Sequence, residues 1–241
     1  MGRFVALGLV VLGALGAAPA SARISLSGGD GWARVGIAQA PTHVIVHVQS
    51  GGLALRSRPF GPVIARVGAT TPFGSPRALG VMTTSAGRWL AVSDASLGNG
   101  RLGWIDASAG GVSYSRTRLD VEIDLSSRTL VVRRDGIAIR RTSVGVGRSG
   151  SPTPTGRFAV TDKLNGPSYS RYYGCCILAL SATQPNLPAG WRGGNRIAIH
   201  GTLSASDFGH AVSAGCVHAP EATLRYLMRN VPLGTPVFMH A

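Results

Sequence analysis

The pattern of apolar and polar positions predicts β-strands along most of the chain. Residues 43–48 and 119–125 alternate between apolar and polar side chains, so each is expected to bury one face of a strand. Residues 130–132 and 137–139 are short apolar runs, and Asp135 and Gly136 between them are a pair typical of a tight hairpin turn. The dominant architecture is therefore predicted to be mainly β.

One helix is predicted near the C-terminus. Apolar residues fall at i, i+3, i+4 and i+7 between positions 224 and 231. Pro220 suits the first turn of this helix, and Pro232 ends it. Residues 235–239 then form a final predicted strand.

The N-terminal residues 1–22 have the pattern of a signal peptide. Arg3 supplies a positive charge, residues 4–15 are apolar or Gly, and residues 20–22 are small. Cleavage would leave Arg23 as the first mature residue and export the protein to the periplasm or cell wall; an uncleaved N-terminal anchor is the alternative. No later stretch is long and apolar enough for a membrane span, so no stable span is expected after cleavage.

Residues 42–107 are predicted to form a first domain. Their short apolar runs, broken by Gly and Pro, are typical of a small β-barrel. Segments 53–59, 87–92 and 103–105 resemble the bacterial SH3-like domain. Such domains bind cell-wall peptide or position a catalytic neighbour, although Trp89 and Trp104 are better interpreted as core residues. Residues 108–115 are interpreted as a linker.

The charge balance is strongly basic. The chain has 24 Lys and Arg residues against 10 Asp and Glu, a net charge of +14 that favours polyanionic surroundings. Nucleic-acid binding is not expected, because an exported chain without an aromatic and basic groove presents its arginines as a solvated face.

The three cysteines are an odd number for an exported protein, so at least one thiol is expected to be unpaired. Cys175 and Cys176 are adjacent and precede an apolar run. We expect one or both to be packed core residues rather than a disulfide-bonded pair. Cys216 remains as the thiol whose retention suggests a chemical role.

Two segments carry candidate chemistry. A predicted strand ends in His200 and Gly201, and Cys216 follows 16 positions after His200 behind the small residues 213–215. Small residues let the backbone approach a substrate closely, and an imidazole can take the proton of a neighbouring thiol. The alternative is that Cys216 is a small buried hydrophobe and His200 a core histidine. The glycine-rich approach and the exported free thiol favour the catalytic interpretation.

These segments resemble the L,D-transpeptidase catalytic domain, the family that cross-links bacterial peptidoglycan. The resemblance covers residues 118–240 and rests on segments 130–136, 152–158, 199–202, 213–218 and 231–237 in that order. It implies a β-sandwich with few helices after the SH3-like barrel.

The resemblance also implies site roles. Cys216 would be the nucleophile and His200 the general base. The residues expected to shape the substrate and oxyanion site are Gly201, Thr202, Ser213, Gly215 and His218. Two positions depart from the family pattern: Ala214 replaces a His, and His218 replaces an Arg or Asn. The second change leaves open how a substrate carboxylate is held, because a neutral imidazole binds anions less strongly than a guanidinium.

The implied reaction is an acyl transfer without metal or nucleotide cofactor. The thiolate attacks the bond between the diamino acid and terminal D-Ala of a tetrapeptide stem, and an amine of a second stem resolves the thioester. Carbapenems acylate the same cysteine in this family. Two alternatives remain: a carboxypeptidase or wall hydrolase that uses water, and an inactive wall-binding protein. The sequence leaves the oligomeric state undetermined.

Overall fold

The described residues are mainly β. The computed structural model describes residues 42–49 and 51–241, so the predicted signal peptide at 1–22 lies outside the described residues. They contain seventeen strands and one α-helix. The predicted mainly β character is therefore confirmed, while the SH3-like assignment of the first half stays a prediction.

The first half is a seven-stranded antiparallel sheet. Its strands are β1 His43–Val48, β2 Leu53–Arg56, β3 Val63–Val67, β4 Ala78–Ser85, β5 Trp89–Val92, β6 Gly103–Asp106 and β7 Val112–Thr117. They lie in the order β3-β2-β6-β5-β4-β1-β7. Trp89 is buried, as expected, whereas Trp104 is only half-buried.

The predicted linker is partly a strand. β7 pairs with β1 along its whole length, from Val48 opposite Val112 to His43 opposite Thr117. The interpretation of 108–115 as a linker was therefore wrong for residues 112–115. Gly110 and Gly111 correctly indicate a turn. The polar residues after that turn form a strand because the edge of β1 is free to pair with them.

The second half contains an eight-stranded mixed sheet. Its strands and helix are β8 Leu119–Asp124, β9 Thr129–Arg134, β10 Ile137–Ser143, β11 Val146–Gly147, β12 Gly156–Asn165, β13 Cys176–Thr183, β14 Arg196–His200, β15 Ala211–Ser213, β16 Val217–His218, α1 Glu221–Asn230 and β17 Pro236–His240. The sheet order is β10-β9-β8-β17-β12-β13-β14-β16, and β11 pairs separately with β15. Side chains such as Phe158, Leu178 and Ile199 are fully buried in its core.

The predicted hairpin and helix are confirmed. β9 and β10 meet at Asp135 and Gly136, whose φ values of 57° and 77° are left-handed, as a tight hairpin turn between twisted strands requires. α1 begins directly after Pro220 and buries Leu224 and Leu227. None of the helices within residues 42–49 and 51–241 is long and apolar enough to cross a bilayer.

The two halves are joined by buried polar contacts and belong to one compact unit. Ser93 and Ser181 share a hydrogen bond of 2.6 Å between their hydroxyl oxygens. The Asn99 amide donates to the Thr183 carbonyl at 2.6 Å and accepts from the Thr183 N–H at 2.9 Å. β13, which carries Ser181 and Thr183, is therefore held in place by the first half as well as by its own sheet.

We expect Thr71→Val to destabilise this junction. The Thr71 hydroxyl donates to Oδ1 of the fully buried Asp162, whose Oδ2 has no hydrogen-bond partner among the described residues. Removing that donor leaves a buried carboxylate poorly solvated and should cost about 1–3 kcal/mol. Denaturant unfolding measures the change. Thr70→Val, at an exposed neighbouring position, should stay within about 0.5 kcal/mol, and equal effects of the two substitutions would contradict the assignment.

Candidate active site

Strand register brings the candidate catalytic residues to one face. β14 and β16 are parallel, with Ile199 opposite Val217 and His200 opposite His218. Because side chains alternate along a strand, Ile199 and Val217 point into the core, and both are fully buried. His200 and His218 point to the opposite face. Cys216 lies directly before β16 and two residues before His218, so its side chain points to the same face.

That face opens onto a cavity of about 810 Å³, which both His200 and Cys216 line. Five large aromatic side chains share the lining: Phe73, Tyr169, Tyr172, Tyr173 and Trp191. Its charged residues are Arg148 and Arg196, and within the described part of the chain no Asp or Glu lines it. The cavity therefore favours an anionic ligand.

The loop before Cys216 is tied down by side chains. The Ser213 hydroxyl donates to the Cys216 carbonyl at 2.6 Å and accepts the Gly215 N–H at 3.0 Å. The Gln184 amide donates to the Ala214 carbonyl at 3.1 Å. Gly215 has φ +123°, and a Cβ there would lie 2.1 Å from the Gln184 amide nitrogen, so this position requires glycine.

Two of these supports lie outside the residues predicted for the site. Thr153 donates to the Gly215 carbonyl at 2.8 Å. It belongs to the Pro-Thr-Pro-Thr-Gly motif at residues 152–156, and this motif could have identified it from the sequence. Gln184 follows β13 in a segment without any motif, so the sequence offers no signal for it.

The Cys216 thiol is held as a neutral group. It is the free cysteine among the described residues and is half-buried, and its thiol donates to the Arg196 carbonyl at 3.9 Å. Burial raises the pKa of the Cys216 thiol to about 11. A base must therefore take its proton as it reacts.

His200 has the proton arrangement of such a base. Its Nδ1 lies 2.6 Å from the Gly201 carbonyl oxygen, which can only accept, so Nδ1 carries the hydrogen and Nε2 keeps its lone pair. Burial, together with the electrostatic effect of the neighbouring His218, lowers the pKa of His200 to about 4. The imidazole is therefore neutral and able to accept a proton across the neutral pH range.

Comparison with known proteins assigns the family. Residues 118–239 match the YkuD L,D-transpeptidase catalytic domain, which is half of the chain. The chain belongs to this family.

Individual relatives of this YkuD domain are distant. YqjB of Bacillus subtilis (strain 168), provisionally named an L,D-transpeptidase, is 30% identical over 40% of this chain and 57% of its own length. YkuD of the same strain, provisionally named likewise, is 26% identical over 48% of this chain and 63% of its own length. The chain thus spans about three fifths of these relatives. The solved L,D-transpeptidase from Mycobacterium smegmatis has a TM-score of 0.42 and 17% identity, covering 83% of this chain and all of that one.

His218 does not present a free ring nitrogen to the cavity of this YkuD domain. It is buried, with Nδ1 2.7 Å from Oδ2 of Asp207 and Nε2 3.2 Å from the Tyr172 hydroxyl. With both ring nitrogens engaged in this way, His218 offers no free nitrogen to a substrate carboxylate. Arg148, which is exposed and lines the cavity, is the better candidate for that contact.

Gly201 and Thr202 have supporting positions. Gly201 accepts from His200 and packs so closely on Gly174 that a Cβ would lie 2.7 Å from its Cα. The Thr202 hydroxyl donates to Oδ2 of Asp207 at 2.5 Å. These residues therefore orient the two histidines rather than face a substrate directly.

Cys175 and Cys176 form a disulfide, so the expectation that they are not bonded to each other was wrong. The expected packing is confirmed, because Cys176 is buried in the core and Cys175 packs against it. In a regular strand, consecutive side chains point to opposite faces and two adjacent sulfur atoms do not meet. β13 begins only at Cys176, however, and the Cys175 N–H turns to donate to Oε1 of Glu221 at 2.8 Å. Leaving the strand pattern at this point brings the two side chains together.

Proposed function

We propose that this protein is an exported peptidoglycan L,D-transpeptidase with Cys216 as nucleophile and His200 as general base. The observation that carries the proposal is their shared face: a neutral thiol and an imidazole with a free Nε2 lie on one side of adjacent strands, at the cavity of a YkuD domain. The same pairing argues against an inactive wall-binding protein.

In the first half-reaction, Nε2 of His200 takes the Cys216 proton as the sulfur attacks the carbonyl carbon of the diamino acid. The Cys216 N–H, which has no hydrogen-bond partner among the described residues, suits the developing oxyanion. The Gly215 N–H is already bound to Ser213 and is not available. His200 then returns the proton to the leaving amine, releasing D-Ala and leaving a thioester.

The charge of the cavity supports a stem peptide as substrate. Arg148 and Arg196 line it without an accompanying carboxylate in the described part of the chain. A tetrapeptide stem brings carboxylates that such cations attract. We place a substrate carboxylate at Arg148, because its side chain is exposed and makes no salt bridge with any described residue.

The decisive experiment is incubation with a disaccharide-tetrapeptide and mass analysis of the products. A cross-linked dimer with release of D-Ala supports transpeptidation. A tripeptide alone supports a carboxypeptidase that resolves the same thioester with water. An unchanged substrate, with wall material bound by the folded protein, would overturn both and favour a binding role.

We expect the acylation step to persist in mild acid. The base form of His200 is present above its pKa of about 4, whereas an ordinary histidine would be only about one-tenth neutral at pH 5.5. The rate of carbapenem attachment at pH 5.5 should therefore stay within about threefold of the rate at pH 7.5, followed by mass spectrometry of the intact protein. A tenfold fall with an unchanged circular dichroism spectrum would show that His200 titrates near its ordinary value.

A further inference from the structure

A chain of hydrogen bonds leads from the half-buried carboxylate of Asp207 to the cavity. Asp207, positioned by Thr202, contacts Nδ1 of His218, and Nε2 of His218 contacts the Tyr172 hydroxyl. Tyr172 is 42% exposed and lines the cavity with Cys216. The chain therefore ends at a phenol that a substrate can reach.

The proton positions along this chain follow from its chemistry. Burial disfavours ionisation of Asp207, but hydrogen bonds from Thr202 and His218 outweigh it and keep the pKa of Asp207 below its ordinary value. An ionised carboxylate only accepts, so Nδ1 of His218 carries the hydrogen. In the neutral imidazole Nε2 then accepts from the Tyr172 O–H. The Tyr172 oxygen keeps lone pairs for a further donor.

His200 and His218 have different hydrogen-bond partners. His200 contacts only a backbone carbonyl through Nδ1, and no carboxylate among the described residues lies within 4 Å of its ring. His218 has a carboxylate oxygen 2.7 Å from its Nδ1, which fixes the orientation and tautomer of the ring. Their ring centroids are 4.9 Å apart, and Tyr172 packs against both. One site thus contains two imidazoles suited to different proton transfers.

We propose that Tyr172 accepts the proton of the incoming acceptor amine and passes its own proton to His218, with Asp207 as the residue that positions His218. The inference rests on the proposed transpeptidase function and assigns the second half-reaction to a relay separate from the Cys216–His200 pair. The acceptor class is a primary amine, whose nitrogen must lose a proton as it attacks, and whose N–H can donate to the free lone pairs of the Tyr172 oxygen.

The step balances as follows. The amine lone pair forms the C–N bond to the thioester carbonyl carbon. The surplus amine proton passes to the Tyr172 oxygen while the Tyr172 proton passes to Nε2 of His218. Collapse of the tetrahedral intermediate breaks the C–S bond and releases the Cys216 thiolate. His218 returns its proton through Tyr172 to that thiolate, so thioester and amine become amide and thiol.

The test measures, in the full-length protein and its variants, how much of the thioester reacts with an acceptor amine and how much reacts with water. A disaccharide-tetrapeptide is supplied as donor and acceptor, and the ratio of dimer to tripeptide is measured by mass spectrometry, with carbapenem attachment as a separate measure of acylation. In Tyr172→Phe the ratio should fall at least about tenfold, while acylation falls by a smaller factor. His218→Asn and Asp207→Asn should shift the ratio in the same direction. Tyr226→Phe, on α1 and outside the cavity lining, removes a hydroxyl that makes no hydrogen bond with any described residue and should stay within about twofold of the wild type.

A second acceptor separates proton transfer from a structural defect. Hydroxylamine is neutral at pH 7 and is a stronger nucleophile that depends less on a base. The loss in Tyr172→Phe should therefore be smaller with hydroxylamine than with the stem amine. Equal losses with both acceptors, an unchanged ratio, or equal falls in acylation and dimer formation would each overturn the relay. A wild-type protein that releases no D-Ala would instead overturn the transpeptidase proposal, and this inference with it.

Discussion

Replacement of Cys216 by Ala is expected to abolish both D-Ala release and carbapenem attachment. Cys216 is the free thiol of the described residues, and it lines the same cavity as His200. Without sulfur there is no group to form the thioester, and the acyl-transfer route is lost rather than slowed. Mass spectrometry of the intact protein should show one carbapenem equivalent on the wild type and none on Cys216→Ala.

The matched control is the double variant Cys175→Ala, Cys176→Ala. The sulfur atoms of these residues are bonded to each other, so neither is a thiol in the folded protein. The contact with Glu221 uses the backbone N–H of Cys175 and survives the substitution. This variant should keep labelling and cross-linking. Peptide mapping that places the carbapenem on either of these cysteines, or cross-linking by Cys216→Ala, would overturn the nucleophile assignment.

Replacement of His200 by Ala is expected to lower turnover by roughly 10²-fold or more. Burial raises the pKa of the Cys216 thiol to about 11, so spontaneous ionisation at neutral pH is rare and the proton must leave during attack. His200 is neutral there and keeps its Nε2 lone pair for that proton. The rate of D-Ala release in the first turnover measures the effect without involving the acceptor.

The contrast variant for His200 is His47→Ala. His47 lies on β1 in the first half, where its Nε2 contacts the Ser115 hydroxyl at 2.7 Å. The His47→Ala variant should keep nearly the full rate, because His47 does not line the cavity. Near-normal first-turnover release by a folded His200→Ala protein would show that another group takes the thiol proton.

Local patterns were sufficient for the parts of this protein that depend on neighbours in sequence. Alternation along residues 119–125 and the Asp135–Gly136 turn predicted β8 and the β9–β10 hairpin, because strand faces and turn conformations are set by a few adjacent residues. The order of the His-Gly and Ser-x-Gly-Cys segments likewise singled out His200 and Cys216 before any geometry was known.

Contacts between residues that are distant in the sequence could not be predicted from local patterns. Thr71 reaches Asp162 across the junction of the two halves, and Gln184 reaches the loop before Cys216, although neither residue stands in a motif. The 112–115 part of the predicted linker became a strand because the edge of β1 was available to it. Each of these contacts depends on which surfaces meet after the sheets form.

The sequence by itself determined the mainly β fold, the helix after Pro220 and the candidate thiol and imidazole, since each is encoded by periodicity or short-range spacing. Only the tertiary structure decided the state of the histidines. Burial beside a backbone carbonyl made His200 a neutral base, and Asp207 and Tyr172 occupied the two ring nitrogens of His218. Protonation and hydrogen-bond partners depend on the surroundings that folding assembles, and residues 172, 207 and 218 become neighbours only when the strands and loops around the cavity pack together.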